Sequence, residues 1–429
     1  MAQHLYRNPA KTAAARKLLE RLEQDVQLLS ALTATHSQSL SPNPRVFLQA
    51  HYGLATYRHL MAIGALKQAQ KLSIKLHKLF DTYELLSEKL TLLSLELENP
   101  NHPISSLKLL TDRFNQFSSL LTQIVYFKTK IRKLFLDFSG EDKNRLAEIT
   151  QVLGQLKIFA DESMLANARF LYLKSVVFLE TEKCNYHLAL ANAQELLSFS
   201  TSNEALNNKT NIAGCNMLLS EIFIELGNYQ SAIDCGQKSY ELFRRGSHNQ
   251  LIALGNLFYA HFHSGLKECA EKDVETALKS KALDKESPIY SAWLFKKACV
   301  LFSKQQFTAV ARLISALCLP PTTPRVEMLR LRYLEILTFI EAGDLELAGG
   351  RIAVLHRQLQ PLRHQPYVAR AQAIANLLKT WAAQQFHPAG LTTLLPEVAQ
   401  LEQLHPWHIR AIDAIPFHHY VQQKAGVLP

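Results

Sequence analysis

The chain has 429 residues, 48% of them hydrophobic and 20% charged, with only 15 glycines and 16 prolines and a formal net charge of +10. So little glycine disfavours phosphate-cradling loops, turn-rich β-sandwiches and flexible linkers, and the apolar content is too high for a disordered chain. No apolar stretch reaches the roughly 18 residues needed to cross a bilayer, so the sequence reads as a soluble, helix-rich, packed protein.

The first residues, MAQHLYRNPAKTAAARK, hold no apolar core segment and do not read as a secretory signal, which predicts a cytoplasmic chain. Leu19, Leu22, Val26 and Leu29 follow at spacings of 3, 4 and 3, the stripe of an amphipathic helix across 10–36. This stripe is too short for a convincing coiled coil and suits a terminal cap, so 1–45 is expected to be a capping helix. Ser41, Pro42 and Pro44 then break the chain.

Residues 1–160 carry 21 Lys and Arg against 13 Asp and Glu, so the basic character belongs to the first third. Lys67, Lys71, Lys75 and Lys78 fall along one helix face, and Lys128, Lys130, Arg132 and Lys133 cluster in FKTKIRKLF. Such runs read either as a solvated outer face or as a docking surface for an acidic partner, RNA or anionic lipid. Turns are predicted at Gly64, around Asn101 to Pro103 and around Ser139 to Asp142, with 107–135 as either a hairpin or one long helix. Residues 46–160 are thus expected to be basic, degenerate helical repeats.

Further along, residues 226–243 read LGNYQSAIDCGQKSYELF. Leu219, Phe223 and Leu226 form the apolar stripe of one helix, Gly227 turns the chain, and a second helix follows with Ala232 at the crossing. The pattern recurs with turns at Cys184, Gly265, Gln305 and Gly343, and small residues at Ala189, Ala270, Ala277 and Ala348. The six turn positions 64, 184, 227, 265, 305 and 343 are separated by 120, 43, 38, 40 and 38 residues. A last turn is expected near Gln385 to Gly390. The 226–243 segment resembles a tetratricopeptide repeat, a helix–turn–helix unit of 34 residues, in its apolar positions, its L-G-N-Y turn and its Ala three residues after the Tyr. It departs from that family at Asn216, where Trp is frequent, and at Arg244, where Pro is frequent.

The resemblance implies an all-α, right-handed α-solenoid of about nine antiparallel helix pairs, with repeats over 161–360 and a C-terminal repeat and cap over 361–429. It also implies that the first helix of each pair lines a concave face. Counted back from the turns, Lys174, Phe178, Glu221, Tyr259, Phe262, Phe295, Phe302 and Tyr333 become the groove-lining residues. Aromatic rings in such a groove would suit a peptide or an amphipathic helix.

No G-x-G-x-x-G, G-x-x-x-x-G-K-[ST], H-E-x-x-H or G-x-S-x-G motif occurs. His405 and His408 stand three apart on an expected helix, but no Cys joins them and only Glu402 and Asp413 are close carboxylates, so they read as a half-buried histidine group. Six cysteines without a C-x-x-C pair read as small buried hydrophobes. No cofactor or metal is expected. The expected function is a non-enzymatic interaction scaffold with a protein or peptide partner. Its alternatives are a nucleic-acid-associated or acidic-partner adaptor using the basic third, and a peptide-responsive regulator.

Overall fold

The computed structural model describes residues 42–100, 104–136, 145–281, 283–284, 287–317, 325–362, 368–409 and 411–427. The capping helix over 10–36, the turns at 101–103 and 139–142, and Cys318 lie outside the described residues. The described chain is all-helical, with repeat-like packing. Its helices are α1 (Pro42–Ala62), α2 (Leu66–Thr82), α3 (Leu86–Leu97), α4 (Ile104–Leu136), α5 (Arg145–Ser163), α6 (Ala166–Glu182), α7 (Tyr186–Ser202), α8 (Lys209–Glu225) and α9 (Tyr229–Leu242). These are followed by α10 (His248–His263), α11 (Lys267–Leu278), α12 (Pro288–Ser303), α13 (Phe307–Ser315), α14 (Arg325–Ala342), α15 (Leu345–Leu359), α16 (Ala369–Ala383), α17 (Pro388–Leu404) and α18 (Phe417–Lys424). The span 107–135 belongs to one helix of 33 residues.

From α6 onward the helices alternate between a first and a second member of a pair. A two- or three-residue turn with positive φ joins the two members at Cys184, Gly227, Gly265, Gln305 and Gly343, and Gly64 serves the same role between α1 and α2. At Gly227, φ is +70°, a backbone state in which a Cβ would crowd the following carbonyl. The turn near 385 uses Gln385 and Phe386, both at positive φ without the help of glycine. A further turn of this type, not read from the sequence, sits at Glu84 between α2 and α3.

The small residues explain how closely the helices of a pair approach. Ala189, Ala232, Ala270, Ala277 and Ala348 are completely buried. In the α8–α9 pair, Ser220 donates a 2.8 Å hydrogen bond to the Ala232 carbonyl and Ser239 one of 2.9 Å to the Ala213 carbonyl, so side-chain hydroxyls of one helix hold the backbone of the other. Gly236 is equally constrained, since a Cβ there would meet Leu257 and Ser220 at 3.0 Å.

The contacts divide into two compact units. Among the described residues, the first takes those from 42 to 136 with 145–176 and 195–212, the second those of 177–194 and from 213 to 427. In the first unit, Val46, Ala50, Leu54, Tyr57, Ala69, Leu76, Phe80 and Leu92 form the α1–α3 core. Glu96 enters that core with two polar partners from α2: Ser73 donates to it, and His77 Nε2 lies 3.0 Å from Oε1. The Glu84 carboxylate accepts from the backbone N–H groups of Ala166 (2.5 Å) and Asn167 (2.9 Å), capping the start of α6 from 82 residues away. In the second unit one continuous core includes Val310, Leu334, Leu337, Ile352, Leu355, Ile374, Leu378, Trp381, Leu394 and Phe417.

The cysteines depart from expectation. Cys215 and Cys299 are buried, but Cys184 and Cys269 are exposed, because each stands on or beside a turn rather than on a packed stripe; no disulfide joins the five described cysteines. No helix among the described residues is long and apolar enough to cross a membrane.

Candidate functional site

The site begins with a stretch that sequence periodicity does not explain. Helix α17 ends at Leu404, so His405 and His408 are not on a helix, contrary to the sequence-based expectation. Pro406 and Pro416 bracket the chain here, and neither can donate a helical hydrogen bond. Residues 405–409 and 411–416 instead run as an irregular segment within the second unit until α18 begins at Phe417.

Side chains from the first helices of several pairs hold this segment by its backbone. Arg330 on α14 donates from Nη2 to the Ile409 carbonyl (2.7 Å) and from Nε to the Ala411 carbonyl (2.9 Å). Tyr333, one turn further along α14, donates its hydroxyl to the Ile415 carbonyl at 2.8 Å. Arg370 on α16 donates to the His405 carbonyl at 2.6 Å, and Glu225 on α8 accepts from the Ile409 N–H at 2.9 Å. Trp407 closes the set from inside the segment by donating its indole N–H to the Asp413 carbonyl at 2.9 Å. The carbonyls of residues 409, 411, 413 and 415 are therefore each taken by a side-chain donor. Backbone groups removed from water need such partners, and no helix or sheet supplies them here.

One acidic side chain anchors the segment. Asp413 is wholly buried, and its carboxylate receives Arg370 Nε at 2.9 Å and Nη2 at 2.6 Å, with the Phe417 N–H at 3.1 Å. Arg370 also lies 2.7 Å from Glu402 Oε1. Burial raises the Asp413 pKa above the ordinary carboxylate value, against the lowering effect of Arg370. Glu402 moves the other way, down to about 2, because His418 and Arg370 hold its charged form against the cost of burial. Arg330 and Arg370 stay charged, their guanidinium pKa values pushed up by Glu327 and Tyr259 in one case and by Asp413 and Glu402 in the other.

Aromatic groups line the other end. The Trp407 ring lies 4.7 Å from the imidazole of His263 on α10, which is also flanked by Tyr229, Tyr259 and Phe262. This enclosure, together with His419, pushes the His263 pKa down to about 3. Ile409 joins a buried cluster with Ile224 and Ala260, against which Tyr259 packs. Lys296 on α12 is buried beside it, its ammonium 4.8 Å from the Tyr259 ring centre and 5.0 Å from that of Trp293.

The residues expected to line the groove fall into three groups. Phe295, Phe302 and Tyr333 are 5%, 8% and 0% exposed and belong to the helix-packing core, so their rings do not line an open face; the stripe that reads as groove-facing is the one each first helix turns toward its neighbours. Tyr333 nonetheless reaches the segment through its hydroxyl. Tyr259 and Phe262 are partly buried around the segment's aromatic end, and Lys174, Phe178 and Glu221 are partly buried on α6 and α8. Of the basic residues, Lys67, Lys71, Lys75, Lys78, Lys128, Arg132 and Lys133 are exposed, while Lys130 pairs with Glu148.

Arg330, Arg370 and Trp407 are not among the residues the sequence singles out, and Asp413 is read there only as a carboxylate near His405 and His408, yet a signal exists for them. Arg330 and Arg370 are charged residues within apolar stretches of first helices, and HPWHIRAIDAIPF has neither helical nor strand period. Among the described residues no group of three or more His, Cys, Asp or Glu is arranged to hold a metal ion. Comparison with known proteins adds no identity: no family model matches the chain, and no curated protein does.

Proposed function

We propose that this chain is a non-enzymatic protein-interaction scaffold, a tetratricopeptide-like right-handed solenoid that binds a non-helical peptide of a partner on the first-helix face of its second unit. One observation carries the reading: that face already holds irregular chain, residues 405–409 and 411–416, by side-chain hydrogen bonds to backbone carbonyls. Contacts of this kind suit peptides of varied sequence, since they read the main chain, while Arg370 and the aromatic groups around His263 supply selectivity. A helical ligand satisfies its own carbonyls and would leave Arg330 and Tyr333 unused, so the peptide form of the reading is preferred to the helical one.

Panning a random-peptide display library against the intact chain tests the proposal. Enriched peptides should slow amide exchange in α10, α14 and α16. Failure to enrich any peptide, or protection confined to other helices, would count against it.

A second reading rests on a separate observation in the first unit. Lys67, Lys71, Lys75 and Lys78 are exposed on one face of α2 and make no ion pair with the described residues, and Ile74 among them is 65% exposed. This face suits an acidic partner or a nucleic-acid backbone. Binding through it should weaken steeply between 50 and 200 mM salt and vanish when Lys67, Lys71 and Lys75 become Glu, whereas peptide binding at the second unit should change little.

A further inference from the structure

We propose that the outer face of the α1–α2 hairpin docks on the surface of an anionic lipid bilayer. Ile63, Leu66 and Ile74 enter its interfacial layer, and Lys67, Lys71, Lys75 and Lys78 meet its headgroups. This rests on the second reading above, that the α2 face takes an anionic partner, and names that partner.

Helix α2 has two unlike sides. Ala69, Ser73, Leu76 and Phe80 are buried in the core of the first unit. The opposite side is centred on Lys67, Lys71 and Lys78, which share it with Ile74 at helical spacing. Ile74 is 65% exposed, and Lys71 and Lys78 stand one turn to either side of it. At the hairpin turn, Ile63 is 61% and Leu66 40% exposed. From Lys67 to Lys78 the basic stripe runs for about 16 Å.

No acid close in sequence answers these lysines. The chain holds no Asp or Glu between Asp25 and Asp81. Asp81 pairs with Lys89, the Glu84 carboxylate is spent on the start of α6, and Glu88 and Glu96 on α3 are buried. The stripe therefore presents uncompensated positive charge, complementary to a surface of negative headgroups.

The exposed aliphatic side chains decide between anionic partners. Nucleic-acid faces typically add arginine forks or aromatic stacking rings to their cations. Residues 66–78 contain no Arg, Phe, Tyr or Trp. Against a phosphate backbone Ile63, Leu66 and Ile74 would stay in water, whereas the boundary of a bilayer buries them while the long lysine stems carry their charges to the headgroups. Charge and shallow apolar insertion act together here, because neither holds a protein firmly to a membrane by itself.

Vesicle flotation with the full chain tests the assignment, using phosphatidylcholine alone or with about a third phosphatidylserine. The chain should float only with the phosphatidylserine vesicles, and binding should fall steeply as salt rises. Lys71→Gln/Lys78→Gln should weaken it roughly 25-fold and Ile74→Gln roughly 5-fold, with Ile74→Leu unchanged. These side chains are exposed, so each variant should keep the circular dichroism spectrum and Tm of the unmodified chain. Ile74→Gln leaves the charge intact and so should not alter binding to a fluorescent single-stranded oligonucleotide, the competing probe. Vesicle binding undiminished by Ile74→Gln would overturn the proposal, as would an oligonucleotide held more tightly than the vesicles. A change in the oligomeric state of the free chain on Ile74→Gln would assign the face to a second copy and overturn it as well. Absence of vesicle binding would end the bilayer assignment but leave the second reading standing if the oligonucleotide or polyglutamate binds through Lys71 and Lys78; if neither binds, both fall.

Discussion

Replacing Asp413 by Ala is the sharpest test of how the second unit is held together. The substitution removes the Arg370 Nε and Nη2 contacts at 2.9 and 2.6 Å and the Phe417 N–H contact at 3.1 Å, all at a fully buried site. Deleting one member of a buried ion pair costs about 3–5 kcal/mol, because its partner is left charged in a poor solvent. Here Arg370 keeps Glu402 and the His405 carbonyl, which places the expected loss near the lower end, about 3 kcal/mol. In a unit of more than 200 residues this lowers Tm by roughly 6–12 °C. Urea unfolding followed by circular dichroism reads the free energy, and a thermal scan reads the shift. The apolar double variant Arg370→Met/Asp413→Leu should recover at least half of the loss, since it removes both charges together. A single-variant loss under about 1 kcal/mol, or a double variant worse than the two single ones combined, would refute the reasoning.

Four further outcomes are expected. Ala232→Leu overpacks the α8–α9 crossing and should cost about 1–3 kcal/mol in urea unfolding, whereas Ala232→Ser should cost far less. Gln305→Gly relieves a side chain held at φ of 60° and should stabilise by up to about 1 kcal/mol, while Gly227→Ala at φ of +70° should destabilise by a similar amount. Glu84→Ala uncaps α6 and should cost about 1–2 kcal/mol, visible as earlier amide exchange at Ala166 and Asn167. His263 is neutral when folded, with a pKa of about 3, and takes up a proton near 6.5 when unfolded; its contribution is fully present above pH 6.5 and falls with pH at up to about 1.4 kcal/mol per unit toward pH 3. The groups facing it are His419, Tyr229, Tyr259 and Trp407, of which only His419 titrates in that window, with its pKa also lowered and therefore the same sign. Stability measured between pH 7 and 5 should accordingly slope less in His263→Phe than in the unmodified chain; equal slopes would mean that His263 is not held neutral.

By itself the sequence determined the local geometry. Small residues recurring near every 40 positions locate the helix crossings, because contact between two helices at Ala232, Ala270 or Ala348 tolerates nothing larger. Gly64, Gly227, Gly265 and Gly343 locate the turns, because a helix reverses most cheaply through a residue free to adopt positive φ. The turn at Glu84 escaped because a non-glycine residue adopts the same φ there, held in place while its carboxylate caps α6, a contact 82 residues away that no local pattern encodes. Only the tertiary structure decided which apolar positions are core and which stay partly open: periodicity marks Phe295, Phe302 and Tyr333 as one stripe with Tyr259, but packing buries three of them and leaves one beside the C-terminal segment. The same holds for Asp413 and Arg370. Separated by 43 residues, they carry no sequence signal as a pair, and become one only when the chain after α17 abandons the helix and lays its carbonyls across helices that precede it.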